Sequence, residues 1–129
     1  MCGIDRSTMF INLSNHVSKD WDEVQIESAR KYGEIVDIGF PDVDPSGDSE
    51  YFDCLSNEYV SKILDLGGQN PVVMVQGEFV FTNRVVTKLK ALGIKCVAAE
   101  TKRKVREGID GSGQKVKMSK FKFEQFMEY

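Results

Sequence analysis

Histidine is nearly missing from this 129-residue chain, where His16 stands alone. Cysteine is scarce as well. Cys2, Cys54 and Cys96 lie far apart and form no paired motif. These shortages argue against a zinc site, which draws on clustered Cys and His ligands, so no metal is expected. They suit reduced, buried thiols and a cytoplasmic setting. No apolar stretch approaches the ~18 residues that a membrane helix needs, and no signal peptide is visible. Walker loop, dinucleotide glycine fingerprint and metal-binding carboxylate cluster are all absent. The segment "DVDPSGD" (42–48) is acidic, but it lacks the spacing and the terminal glutamate of a calcium loop. A serine-hydrolase elbow is missing too. There is no internal repeat and no low-complexity run. Resident cofactors are therefore not expected.

What is present is an ordinary globular composition, 41% hydrophobic and 29% charged. The length suits one domain with a real core. Residues 9–129 are read as that domain. The first eight, "MCGIDRST", precede a second methionine, Met9, and read as a leader or expression remnant. Net charge is −3 but unevenly spread. From Glu100 onward eight bases against five acids give +3, leaving −6 on residues 1–99. An acidic body with a locally basic end suits one compact anionic ligand better than long nucleic acid.

Hydrophobic patterning gives the element order. "MFINL" reads as a buried strand. "DWDEVQIESARKYG" reads as a helix, with Asp20, Asp22 and Glu23 at its positive end and Gly33 closing it. "EIVDIGF" is a second strand, stopped by Pro41. Phe52, Leu55, Tyr59, Ile63 and Leu66 make one apolar helix face, ended by Gly67 and Gly68. "PVVMVQG" is apolar throughout, as expected of a strand covered on both faces. Phe81, Val85, Leu89 and Leu92 mark a third helix, closed by Gly93, and "IKCVAA" is a fourth strand. This β-α-β-α-β-α-β order predicts an α/β fold: a mainly parallel sheet with helices on both faces. The last thirty residues have no helical period. "DGSG" (110–113) between two extended runs predicts a C-terminal β-hairpin at the sheet edge. Val116 and Met118 differ in parity from Phe121 and Phe123, which places a bulge near Ser119.

In open parallel sheets, ligands bind beyond the carboxyl ends of the strands, where the strand order reverses. An order of 2-1-3-4 puts that reversal between "LSNH" and "QGEF". Ser14 and Asn15 offer polar groups near a helix start, where free N–H groups attract phosphate. Gly77 admits close backbone approach. Gln76 carries donor and acceptor together, enough to read a base edge or a ribose. Thr82 and Asn83 lie in the first turn of the third helix, and "AETKR" adds Thr101, Lys102 and Arg103. Plainer readings stand beside these. Ser14 and Asn15 can be helix caps, His16 a surface loop residue, and Gln76 and Glu78 solvated strand-end groups. Trp21 and Phe79 read better as core or interface packing than as stacking platforms. The hairpin lysines read as a solvated edge that discourages aggregation.

These residues carry a resemblance. "FINLSNH", then Trp21, "VVMVQGEF" (72–79), "GIKCVAAETKR" (93–103) and the final "SKFKFEQFMEY" resemble small stand-alone CRISPR-associated proteins of type III systems. The similarity runs from Met9 to Tyr129. Their fold is similar to the CARF domain, a Rossmann-like sensor of cyclic oligoadenylates. The resemblance implies a cyclic oligoadenylate ligand, cyclic tetra-adenylate foremost, bound across the two-fold axis of a homodimer, with further assembly on ligand binding left open. It implies antiviral signal damping, either by a ring nuclease that cuts the ring or by a sponge that holds it. Carried over position by position, the ligand-binding candidates are Ser14, Asn15, His16, Gln76, Gly77, Glu78, Thr82, Thr101 and Arg103. Val17 departs from the pattern, standing where a proline or similar turn residue is expected.

Ring nucleases of this type work without metal: the ribose 2′-hydroxyl attacks its own phosphodiester and leaves a cyclic phosphate. The protein holds that geometry and supplies donors to the phosphate. A histidine titrates in a useful range for acid–base work, which makes His16 the catalytic candidate. Ser14, Asn15 and Arg103 would position the phosphate. Two other classes remain open at this stage. One is an RNA-binding module using the basic hairpin, with Phe121, Phe123 and Phe126 among its lysines. The other is a flavodoxin-like enzyme for a mononucleotide cofactor.

Overall fold

The computed structural model describes residues 8–66 and 68–129, with only the backbone described at Lys104, Arg106, Met118 and Ser119. Of the expected leader, all but Thr8 lies outside the described residues, as do Cys2 and the predicted stop at Gly67.

Five strands form one sheet in the order β2-β1-β3-β4-β5. They are β1 (Met9–Ser14), β2 (Glu34–Gly39), β3 (Val72–Gln76), β4 (Lys95–Ile109) and β5 (Lys115–Glu128). β1 pairs parallel with both β2 and β3, and β3 pairs parallel with β4. β5 returns antiparallel along β4 and forms the sheet edge. The expected α/β class, strand order and C-terminal hairpin are therefore present. The hairpin turns at Asp110, whose carboxylate accepts from the Ser112 and Gln114 N–H groups, and Gly113 supplies the positive φ of 84°.

Three helices cover the sheet unequally. α2 (Ser49–Asp65) and α3 (Phe79–Ala91) share one face, where Phe52, Tyr59, Ile63, Phe81, Val85 and Leu89 bury Ile11, Leu13, Val73, Val75 and Cys96. The opposite face carries Phe10, Val72, Met74, Val97, Ala99 and Phe123, packed against Ala29 of α1 (Glu23–Arg30) and the rings of Trp21, Tyr32 and Phe126. At ~1.5 Å per residue, the 8 residues of α1 reach only about 12 Å. The 17 of α2 reach about 26 Å. α1 cannot roof its whole face.

Several expectations need correction. The first helix is shorter than its acidic lead-in suggested. A 3₁₀ turn, Ser18–Asp20, comes first, and α1 begins only after Asp22, whose carboxylate accepts from the Gln25 N–H. Trp21 breaks the run because its ring is drawn onto Phe10, edge-on at 6.1 Å. Leu92 caps α3 and is exposed rather than buried, and Leu66 likewise ends α2 exposed. Cys54 is exposed, while Cys96 is buried as expected. The bulge is not near Ser119. The register slips between Glu100 and Thr101, where Glu124 is the extra residue on β5. The rings that had to share a face are Phe123 and Phe126, three apart in sequence, and their centroids lie 4.8 Å apart on Phe10's side.

Candidate functional site

The uncovered end of the α1 face is where the strands change character. Alternation gives that face Phe10, Asn12 and Ser14 from β1, and Val72, Met74 and Gln76 from β3. From β4 it takes Val97, Ala99 and Thr101. Each strand runs from apolar to polar toward its carboxyl end. Because β1 lies between β2 and β3, the strand order reverses there. An open pocket of about 730 Å³ occupies this spot, within the ~300–1,000 Å³ of small-molecule sites. A shallower groove of about 1020 Å³ runs between α1 and β2, lined by Ser18, Lys19, Arg30 and Glu34. No converging strand ends build it.

Asn12 is the hub of the first loop. Only 1% exposed in an otherwise apolar strand, it donates through Nδ2 to the His16 carbonyl and to Asp37, both at 2.8 Å. Ser14 Oγ lies 2.7 Å from Asn12 Oδ1 and accepts from the His16 N–H. Trp21 Nε1 also donates to the His16 carbonyl, and Asp37 accepts from both the N–H and the hydroxyl of Ser18. The backbone of 14–18 is thus fixed by side chains beneath it, leaving Asn15 and His16 exposed at the pocket mouth. Ser14 and Asn15 do not cap α1; Asp22 does. Val17 sits at φ −64°, the value a proline ring would impose, so the departure from the expected turn residue leaves the loop shape intact.

On the other side of the switch point the β3–β4 ladder ends at Met74 and Val97. Beyond it, Gln76 takes over: Oε1 accepts from the Ala99 N–H at 2.8 Å, and Nε2 donates to the Ala99 carbonyl at 3.3 Å. Tyr129 Oη donates to the Val75 carbonyl. Burial, then the neighbouring Cys96 and Glu100, push this phenol above its ordinary range. Two side chains therefore hold β3 and β4 apart where the pocket opens.

Of the nine sequence candidates, six line this pocket: Ser14, Asn15, His16, Gln76, Gly77 and Thr101. Glu78 does not, since its carboxylate caps α3 by accepting from the Phe81 N–H at 2.7 Å. That places a negative charge at the helix start and opposes an anion there. Thr82 is buried in α3 with its hydroxyl unpartnered, and it does not line the pocket. Arg103 lies two pairs outward from Thr101, opposite Phe121 in the ladder, and does not line the pocket. Gly77 has a local reason to be glycine: a Cβ there would meet the Phe40 ring at 2.3 Å. Phe79, expected to pack, is 88% exposed.

Sequence reading missed the pocket's second wall. Asp20, Trp21, Asp22 and Gln25 line it from the start of α1, and Lys120, Phe121 and Phe123 from the hairpin. Gln25 could have been found: it stands four residues before Ala29 on the buried stripe of α1, a polar residue where an apolar one is expected. Among the described residues, no group of three His, Cys, Asp or Glu side chains is placed to hold a metal. No helix among them is long and apolar enough to cross a membrane.

Fold and pocket together define an α/β protein with a mostly parallel sheet, a C-terminal antiparallel hairpin and a polar, aromatic-walled cleft at the sheet's switch point. The chain belongs to the family described as "Uncharacterized protein MJ1673 family", which matches it over residues 8–127. No curated protein matches it.

Proposed function

We propose that this protein is a CARF-like, Rossmann-like binder of cyclic oligoadenylate, cyclic tetra-adenylate foremost, and that it lowers the level of this messenger to damp type III CRISPR antiviral signalling. The observation that carries the reading is the convergence of Ser14, Asn15, His16, Gln76, Gly77 and Thr101 on one cleft at the switch point. The aromatic walls of Trp21 and Phe121 suit base faces, and Lys120 suits a phosphate. The pocket is open on one side, which fits a ring shared across the two-fold axis of a homodimer.

In the cleaving version, a ribose 2′-hydroxyl attacks the adjacent phosphorus in line. The bond to the 5′-oxygen breaks, a 2′,3′-cyclic phosphate forms, and the departing 5′-oxygen takes up a proton. His16 is the group to accept the first proton or deliver the second, because its backbone is fixed on both sides and the residue lines the cleft. Asn15 and Lys120 would hold the phosphate oxygens as charge develops. In the sponge version the same groups bind the ring without aligning the hydroxyl.

Incubation with radiolabelled cyclic tetra-adenylate separates these. The expected result is retention on a native gel followed by appearance of linear product, lost in His16→Ala. Absence of retention would overturn ring binding. Retention with the ring intact over many hours would leave the sponge. The basic hairpin supports a second reading, single-stranded RNA binding: Lys102 faces Lys122 across the ladder, a like-charge pairing that costs stability unless an anion sits on it. Salt-sensitive shifts of RNA, with none for the ring, would favour it.

A further inference from the structure

Gln25 is 8% exposed as a residue and lines the switch-point pocket. Its backbone N–H is spent on the Asp22 cap, but its side-chain amide makes no hydrogen bond among the described residues. The other polar groups on the pocket floor are engaged: Ser14 with Asn12 and His16, Gln76 with Ala99. The one sealed side-chain N or O without a partner among the described residues is Thr82 Oγ1, so the Gln25 amide is not shut into the interior and its polar atoms open onto the cleft. An amide left unengaged at the cleft, beside floor groups that are all engaged, is explained if it serves a ligand.

We propose that Gln25 reads the edge of a purine base lodged between Trp21 and Phe121, and so sets base specificity. This rests on the ring-binding reading above. An amide presents one acceptor and one donor side by side. Adenine offers the matching pair, its 6-amino N–H beside a ring nitrogen, and a Gln amide meets both at once. Asp20, also lining the pocket, is an acceptor only and shows no partner among the described residues. A wall of these two groups favours a base edge that bears an amino group.

The test is a cycle of two rings against two proteins. One ring is cyclic tetra-adenylate; the other has the same backbone built from purine riboside, which lacks the 6-amino group. The wild type should bind the adenylate ring at least tenfold more tightly. Gln25→Met, similar in size and without the amide, should keep a Tm close to the wild type's, bind the adenylate ring at least tenfold more weakly, and bind the two rings within threefold of each other. A wild type that binds both rings equally overturns the assignment without recourse to any variant. So does a Gln25→Met protein that keeps the tenfold preference, or an Asp20→Asn protein that alone abolishes it. Gln25→Glu, the second variant, keeps the acceptor that meets the 6-amino group but loses the donor to the ring nitrogen that both rings carry, so it should bind both rings more weakly while keeping the preference; loss of the preference in this variant would also overturn the proposal. If the wild type binds neither ring, the ring-binding reading itself has failed.

Discussion

The side chain of Gln76 pairs with the backbone of Ala99 as a strand would, accepting from its N–H and donating to its carbonyl. The amide continues the β3–β4 ladder one step past Met74 and Val97, where the two backbones have already separated. A side chain spans more than a backbone pair does, so the crevice between the strands is held open at a fixed width.

Gln76→Ala should therefore leave two backbone groups of Ala99 without partners. A loss of about 1–3 kcal/mol is expected. Ring binding should weaken as well, because the crevice loses its spacer. Urea unfolding and the labelled-ring assay measure the two effects separately.

Val17→Pro should stabilise the protein. Its φ of −64° already matches the ring, and its N–H makes no hydrogen bond among the described residues. Restricting the unfolded chain at a compatible position gains about 0.4–1 kcal/mol. Thermal unfolding should show a higher Tm with ring binding retained.

Lys88 joins α2 to α3. Its ammonium lies within 2.7 Å of Asp53, Ser56 and Asn57 side-chain oxygens and 3.1 Å from the Asp53 carbonyl. The hydrogen bond from Lys88 and its charge hold the Asp53 carboxyl below its ordinary range. The native pKa is depressed, so this contribution is present above about pH 4 and lost as pH falls through the native value. Lys88→Met should lower Tm at neutral pH. The gap from wild type should narrow on acidification below about pH 4, which a series of melts from neutral to acid would show.

The two described thiols should react differently. Cys54 is exposed on α2, whereas burial pushes the Cys96 thiol up to about 11. Iodoacetamide at about pH 8 should modify Cys54 in the native protein and spare Cys96 until denaturant is added. Peptide mass spectrometry gives the answer, and rapid native labelling of Cys96 would contradict its burial.

Much of the architecture was legible because it depends on short-range periodicity. The apolar runs at 10–13 and 72–75 and the stripe Phe81, Val85, Leu89 occupy the elements and faces their spacing implies. The strand order followed from the connection pattern, and with it the meeting of "LSNH" and "QGEF". What stayed hidden depends on contacts distant in sequence. The start of α1 is set by Trp21 packing on Phe10 and Phe126, and the bulge at Glu124 by the need to seat Phe123 and Phe126 together. Glu78 looked like a site residue because it follows a strand end, but local capping claims its carboxylate. Gln25 was legible only as a polar residue on the buried stripe of α1, and the hairpin wall depends on β5 returning along β4 to bring Lys120, Phe121 and Phe123 to the cleft.

The shortness of α1 sets the capacity of the cleft. One added turn ahead of Asp22 would extend the roof by about 5.4 Å toward Ser14 and Gln76, converting an accommodating mouth into ordinary interior. The same sheet could therefore host a larger guest, a smaller one or none, through insertions or deletions between β1 and β2 that leave every strand untouched. Among chains of this architecture, the length of that one connection is the dimension by which guest size can be compared.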